Sequence, residues 1–364
     1  MTNVWCVMER NDLEKIATNL LILNDAETII SLIESEHDPY FCTMALPYYA
    51  LFVQSCQEYY GEVFTEEKAA RKIKSIRNFI KSYGDRASKI RKRVKKTDSS
   101  QDEIFASRLK LSFMKRLKRH YNIGVLFDDS RHIVSNTQLI ADFLELEDLG
   151  DSHNEEKQIA LAAQISATVA AIRNELSKYT DALYIQRPNK GIGIPYFYDF
   201  NTGKRGTLFD NGYDKYTNIA YLNLLSMINF VSYCLRPLLD EENPWIFRIE
   251  YIVTYYVHKA LSSINNYYKS NSIEPQEVVL LESLLSDSED LFKTAIRNCM
   301  MHYGLEDQGI ISKENIDKPL FGIIETSTGR SYHDYYKELR LYADSISAYL
   351  DNRFSTEKLK LQLL

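Results

Sequence analysis

Glycine and proline are scarce, at 13 and 8 in 364 residues. These are the residues that most often interrupt helices, so the chain reads as mostly helical. Cysteine is also rare. Cys6, Cys42, Cys56, Cys234 and Cys299 are scattered, odd in number and form no CxxC pair. That argues against a disulfide framework and for reduced cytosolic thiols. None of the seven histidines has zinc-site spacing with Cys or a carboxylate, so neither a metal site nor a cofactor is expected. No Walker sequence or Gly-x-Ser-x-Gly elbow occurs, and Gly191-x-Gly193 lacks the third Gly of a dinucleotide loop. No basic stretch followed by an apolar run opens the chain, so no signal peptide is expected. No apolar run reaches the roughly 18 residues of a membrane span. The segment 216–235 comes closest, interrupted by Asn218, Asn223 and Asn229. A net charge of −6 gives no global nucleic-acid signal. The expectation is a cytoplasmic protein without membrane contact.

What is present supports ordinary cores, since 45% of residues are apolar, and the length favours two domains. The fold class is mainly α. A helical N-terminal domain is expected over 1–186, a hairpin or linker over 187–213, and a helical bundle over 214–364. Within the first domain, two short helices are expected over 12–35, and others over 43–60, from Thr65, over 86–97, 103–120, 136–147 and 154–180. Glycine and proline then gather between Arg187 and Tyr213, and Asn201-Thr202-Gly203 separates two aromatic or β-branched runs. That pattern predicts a short β-hairpin near 192–209, with 192–200 pairing to 204–209. Bundle helices are expected near 214–236, 245–270, 288–303 and 331–352. Arg236-Pro237 ends the first, and Asn243-Pro244 opens the second. The loop 305–330 is long for a bundle, and such loops often carry function or face partners.

Residues 86–119 hold 13 Lys or Arg against 3 acids. Arg91, Lys92, Arg93, Lys95, Lys96, Lys115, Arg116, Lys118 and Arg119 are candidate RNA contacts, since such cations neutralise phosphates. Phe105, Phe113 and Tyr121 are placed to stack bases. The alternative is a solvated helix face paired with the acidic stretch 142–156.

The most informative stretch is Arg297-Asn298-Cys299-Met300-Met301-His302. It lies at the end of a helix expected to start near Ser288 and to be terminated by Gly304. On a helical wheel Phe292, Ile296, Cys299 and Tyr303 form the core stripe, and Arg297, Asn298, Met301 and His302 fill the opposite arc. A methionine on that arc points to a buried interface. A fixed cation beside a titratable imidazole suits phosphodiester chemistry. His302 would act as general acid or base, Arg297 would stabilise charge on phosphorus, and Asn298 would orient His302 or the phosphate. The alternative is that Arg297 and His302 only cap the helix. Ile-Arg-Asn, four residues, then Tyr also occurs at 76–83 and 172–179, with Ser82 and Lys178 at the His302 position. Either degenerate duplication or coincidence accounts for the echo.

Arg-Asn-x-x-x-His at a helix end within a small bundle resembles the signature of the HEPN superfamily, over roughly residues 213–355. The resemblance implies a homodimer through the C-terminal bundle with the two motifs face to face, and catalytic roles for Arg297, Asn298 and His302. It implies a metal-independent endoribonuclease, or an RNase-like toxin or anti-phage effector, with RNA and a cognate toxin or antitoxin protein as partners. Other members bind without cleaving, so a non-catalytic antitoxin, immunity protein or scaffold is the second reading. One toxin branch carries a modified Tyr two residues after the His. That position is Gly304 here.

Overall fold

Few helix breakers give long helices. The computed structural model describes residues 10–364 apart from 36, 62–66, 109–120, 146–152, 183–187, 189–190, 204–207, 210–211, 273–274, 287, 289, 306–310, 312–313 and 358. Among the described residues there are twelve α-helices: α1 Arg10–Glu34, α2 Pro39–Tyr60, α3 Glu67–Ser82, α4 Ala87–Arg108, α5 Thr137–Leu144, α6 His153–Leu176, α7 Lys215–Asn229, α8 Pro244–Asn271, α9 Pro275–Ser286, α10 Thr294–His302, α11 Ile323–Thr328 and α12 Tyr332–Asp351. The mainly α class expected from the sequence is what the chain adopts. Local chemistry fixes the helix starts. Asp38, Asp214, Asn243 and Ser331 each accept hydrogen bonds from backbone N–H groups of the following turn. Pro39 and Pro244 stand in first turns, where a missing N–H costs nothing. After α7 the chain winds on as a π-helical stretch, Phe230–Leu235, and stops in a 3₁₀ turn at Arg236–Leu238, around Pro237.

Several expectations change. Where two short helices were expected over 12–35, one helix runs from Arg10 to Glu34. α10 is shorter than expected: it begins at Thr294, and before it the Leu291 N–H donates to the Ser288 carbonyl in a turn. α9 was not anticipated. Four strands form one antiparallel sheet: β1 Ile123–Phe127, β2 Ile133–Asn136, β3 Tyr196–Phe200 and β4 Gln362–Leu363, in the order β2-β1-β3-β4. β3 realises the strand expected within 192–200. It pairs with β1 and β4, and the pairing expected with 204–209 falls largely on residues outside those described. β1 and β2 escape a periodicity reading because every residue of both is buried, which erases the alternation that marks a half-exposed strand.

A contiguous buried set runs from Ala17 to Leu359. α1 and α2, expected in a separate N-terminal unit, pack directly against α8 and α10 respectively. Two segments, Leu13–Glu34 and Lys215–Leu238, have the length and composition of membrane spans, yet 94% of the second's apolar window is buried within the protein. The asparagines that interrupt it explain why it is a core helix. Asn223 Oδ1 accepts from Asn136 Nδ2 at 2.9 Å, and Asn229 Nδ2 donates to the Ile133 carbonyl at 2.9 Å. These bonds tie α7 to β2 and satisfy polar groups that burial would otherwise penalise.

Candidate active site

The wheel places the polar arc of α10 correctly for its three polar members. Ile296, Cys299 and Tyr303 are buried, while Arg297, Asn298 and His302 lie on a partly exposed face. Met301 is the exception. It is buried within the chain itself, with the Tyr256 hydroxyl 3.9 Å from its sulfur, so the cover is α8 and not a partner.

The end of α10 is unusually well anchored. The last carbonyls of a helix have no intrahelical donors. Here Arg248 Nε of α8 donates to the Met300 carbonyl, Ser55 Oγ of α2 to that of Met301 at 2.7 Å, and Thr18 Oγ1 of α1 to that of Tyr303 at 3.3 Å. Tyr303, not Gly304, makes the terminating turn, with φ +57°. The left-handed region costs a non-glycine residue roughly 1–2 kcal/mol. A buried cluster holds it there. The Tyr303 hydroxyl donates to Asp25, whose Oδ2 also accepts from Arg248 Nη1 at 2.7 Å. The Arg248 guanidinium lies 3.7 Å above the Tyr303 ring. Burial pushes the Asp25 carboxyl up to about 7 against the pull of Arg248.

His302 Nδ1 lies 2.9 Å from Glu58 Oε2, across 244 residues of sequence. Glu58 sits in the last turn of α2. The same oxygen accepts from Arg77 Nη2 of α3 at 3.2 Å, and Gln54 Nε2 donates to Oε1 at 3.2 Å. Burial raises the Glu58 pKa, but Arg77, His302 and Gln54 outweigh it and hold the carboxyl below its ordinary value. An ionised carboxylate only accepts, so Nδ1 carries the hydrogen and Nε2 is the basic nitrogen. Burial lowers the imidazole below its ordinary value. Glu58 opposes this, and Arg77 and Arg297 reinforce it. His302 is thereby set as a neutral base.

Asn298 departs from expectation. Its Oδ1 accepts from Arg297 Nη1 at 2.8 Å, so it steadies the arginine, and it is Glu58 that orients the histidine. Arg297 and Arg77 each keep a buried Nε with no acceptor. Both guanidiniums also act on the buried Tyr256 hydroxyl, working against the burial that raises its pKa. The site therefore gathers one imidazole, one carboxylate and two guanidiniums from α10, α2 and α3. Sequence reading missed Glu58, which no local pattern marks. Arg77 was visible only as part of the repeated Ile-Arg-Asn segment.

The basic helix behaves differently along its length. Arg91 Nη1 pairs with Asp214 at 2.7 Å, and Arg93 Nε with Asp142 at 2.9 Å. Arg93 also lies 4.4 Å above Tyr83, so α4 flanks the end of α3. Both arginines are thus committed inside the fold. Lys92, Lys95 and Lys96 are exposed. Lys115, Arg116, Lys118 and Arg119 lie outside the described residues. His258 is a part-buried, hydrogen-bonded histidine, with Nδ1 2.7 Å from the Tyr342 hydroxyl and its pKa lowered to about 4, chiefly by burial. Among the described residues, no three His, Cys, Asp or Glu side chains converge as a metal-holding group.

No family model, curated protein or solved structure matches the chain. What the site can do follows from its own chemistry: a neutral imidazole with an open Nε2 can take a proton, and adjacent guanidiniums can stabilise the negative charge that results.

Proposed function

We propose that this protein is a metal-independent endoribonuclease acting in the cytoplasm, of the toxin or anti-phage effector kind. The observation that carries the reading is the Glu58–His302 pair beside Arg297. In the proposed reaction Nε2 of His302 removes the proton of a ribose 2′-hydroxyl. The 2′-oxygen bonds to phosphorus, the bond to the 5′-oxygen breaks, and that oxygen leaves with a proton from water, while His302 returns its own proton to solvent. Arg297, steadied by Asn298, stabilises the charge on the phosphoryl oxygens. A homodimer through the C-terminal bundle and a cognate toxin or antitoxin protein are proposals that the HEPN resemblance alone supports.

RNA incubated with the purified protein and EDTA is expected to be cut, leaving 2′,3′-cyclic phosphate ends, while DNA of the same sequence stays intact for want of the 2′-hydroxyl. Cleavage of DNA, or strict dependence on added metal, would count decisively against this chemistry.

A non-catalytic binding role as antitoxin, immunity protein or scaffold has one observation in its favour. Arg77, Glu58 and His302 form a network that neutralises itself, and Glu58 repels an approaching phosphate. Binding without cleavage in the same assay selects that role.

The exposed lysines of α4 are proposed as RNA contacts. Replacing Lys92, Lys95 and Lys96 together with Glu, and leaving Arg93 on Asp142, should weaken RNA binding and reduce the salt slope by about two for single-stranded RNA. Fluorescence anisotropy at several salt concentrations measures both. Unchanged affinity and slope would return these lysines to solvent.

A further inference from the structure

The repeated segments at 76–83 and 296–303 converge on one place. Each closes a helix one residue before its tyrosine, since α3 ends at Ser82 and α10 at His302. Each tyrosine is followed by a glycine, Gly84 and Gly304. In both, the isoleucine and the tyrosine are buried. In both, the arginine Nη1 donates to Oδ1 of the next residue, at 3.3 Å for Arg77 and Asn78 and 2.8 Å for Arg297 and Asn298. In both, the tyrosine ring lies under an arginine from another helix, Arg93 over Tyr83 and Arg248 over Tyr303. The segment at 172–179 shares the buried isoleucine and the arginine–asparagine bond, at 3.2 Å, but stands apart because Tyr179 is exposed and Arg173 pairs with Glu27.

The first two segments share more than local shape. Arg77 Nη2 and His302 Nδ1 approach the same oxygen of Glu58, at 3.2 and 2.9 Å. Tyr256 feels both Arg77 and Arg297. Just past α3, Gly84 packs closely on Tyr256: a Cβ there would stand 3.0 Å from Tyr256 Cδ1, so the ring would have to shift to admit one.

We infer that 76–84 and 296–304 are two copies of one segment brought to one site, and that Arg77 of the first copy completes, within a single chain, the site whose proton carrier is His302. The inference rests on the reading of His302 as that carrier. Arg77 is a positioning residue. It acts through Glu58, which it keeps ionised and in place so that Nδ1–H has a fixed acceptor and Nε2 keeps its lone pair unprotonated. The charged groups facing His302 are Glu58 from α2, Arg77 from α3 and Arg297 from its own helix. Loss of Arg77 removes a cation that disfavours imidazolium and leaves Glu58 to favour it. With Ser82 at the His302 position, the first copy supplies charge and no second base.

The test uses the full chain and Arg77→Met, Arg77→Lys and His302→Ala variants. NMR titration follows the His302 imidazole, its signal identified by its loss in His302→Ala. Arg77→Met should raise the His302 pKa, and Arg77→Lys should return it toward wild type. With RNA in EDTA, kcat of Arg77→Met should fall and its acid limb move up, with KM little changed. Cleavage per chain should not depend on protein concentration, and mixing Arg77→Met with His302→Ala chains should restore nothing. If Arg77→Met lowers only the melting temperature, leaving the titration and the acid limb at wild-type positions, Arg77 is structural and the inference fails. Restored cleavage on mixing would place Arg77 and His302 on different chains and also overturn it. Should wild type cleave no RNA, the nuclease reading falls by itself, and the titration decides the role of Arg77. Where Arg77→Met does not fold, Arg77→Gln carries the same measurements.

Discussion

Replacing His302 with alanine is expected to lower RNA cleavage by about 10²–10⁴-fold, the usual contribution of a positioned acid–base group. The fold should hardly notice. The His302 side chain is 40% exposed, and its contact with Glu58 is a part-exposed pair, a class worth about 0–1 kcal/mol. The melting temperature should therefore stay near wild type while activity disappears. A pH profile adds a second check. Because burial, Arg77 and Arg297 together hold the imidazole below 6.5, the neutral base persists into mildly acidic solution. The acid limb of kcat/KM should lie below that ordinary value and vanish with the His302 side chain. An alanine variant that loses stability in proportion to activity would assign His302 to structure. One that stays folded and fully active would remove it from the chemistry.

The second large effect concerns stability. Arg248→Met is expected to destabilise the fold by about 3–5 kcal/mol, the range for removing one partner of a buried ion pair. The substitution preserves bulk but strands Asp25, the Met300 carbonyl and the underside of the Tyr303 ring. The pH dependence has a definite sign. In wild type the folded Asp25 pKa, about 7, exceeds its unfolded value near 3.8, so this group's contribution is fully present in acid and is lost as pH rises through that window. Without Arg248 the folded pKa moves higher still. Above about pH 7 the native variant then retains a proton that native wild type has released, and its deficit widens with pH. Urea unfolding on either side of neutrality measures this. A loss within the roughly 0.5 kcal/mol typical of surface substitutions, or a deficit that narrows in alkali, would contradict the clamp. Since Arg248 also fixes the end of α10, the variant should lose cleavage as well.

Two helix boundaries were legible because their chemistry is local. Asn243-Pro244 and Arg236-Pro237 marked real ends because capping and proline sterics act within a few residues. The face of α10 carrying Arg297, Asn298 and His302 was legible because Ile296, Cys299 and Tyr303 keep helical spacing. Three things were not. β1 is buried on both faces and shows no alternation. The turn at Tyr303 could not be read ahead of Gly304, because a non-glycine residue holds φ +57° only with Asp25 and Arg248 around it. Glu58 lies 244 positions from His302, and one carboxylate at such a distance leaves no spacing to recognise. The paired Ile-Arg-Asn segments were visible as an echo, and their convergence needed coordinates.

The separation between Glu58 and His302 also has a consequence in time. At a synthesis rate of about 5–20 residues per second, roughly 12–50 s pass between the making of these two residues. For most of that interval the nascent chain holds Glu58 and Arg77 and has no His302 to meet them. The carbonyl anchors at Thr18, Ser55 and Arg248 are likewise all made before the helix they grip. A site assembled in this order stays incomplete until the 294–302 segment has left the ribosome and docked.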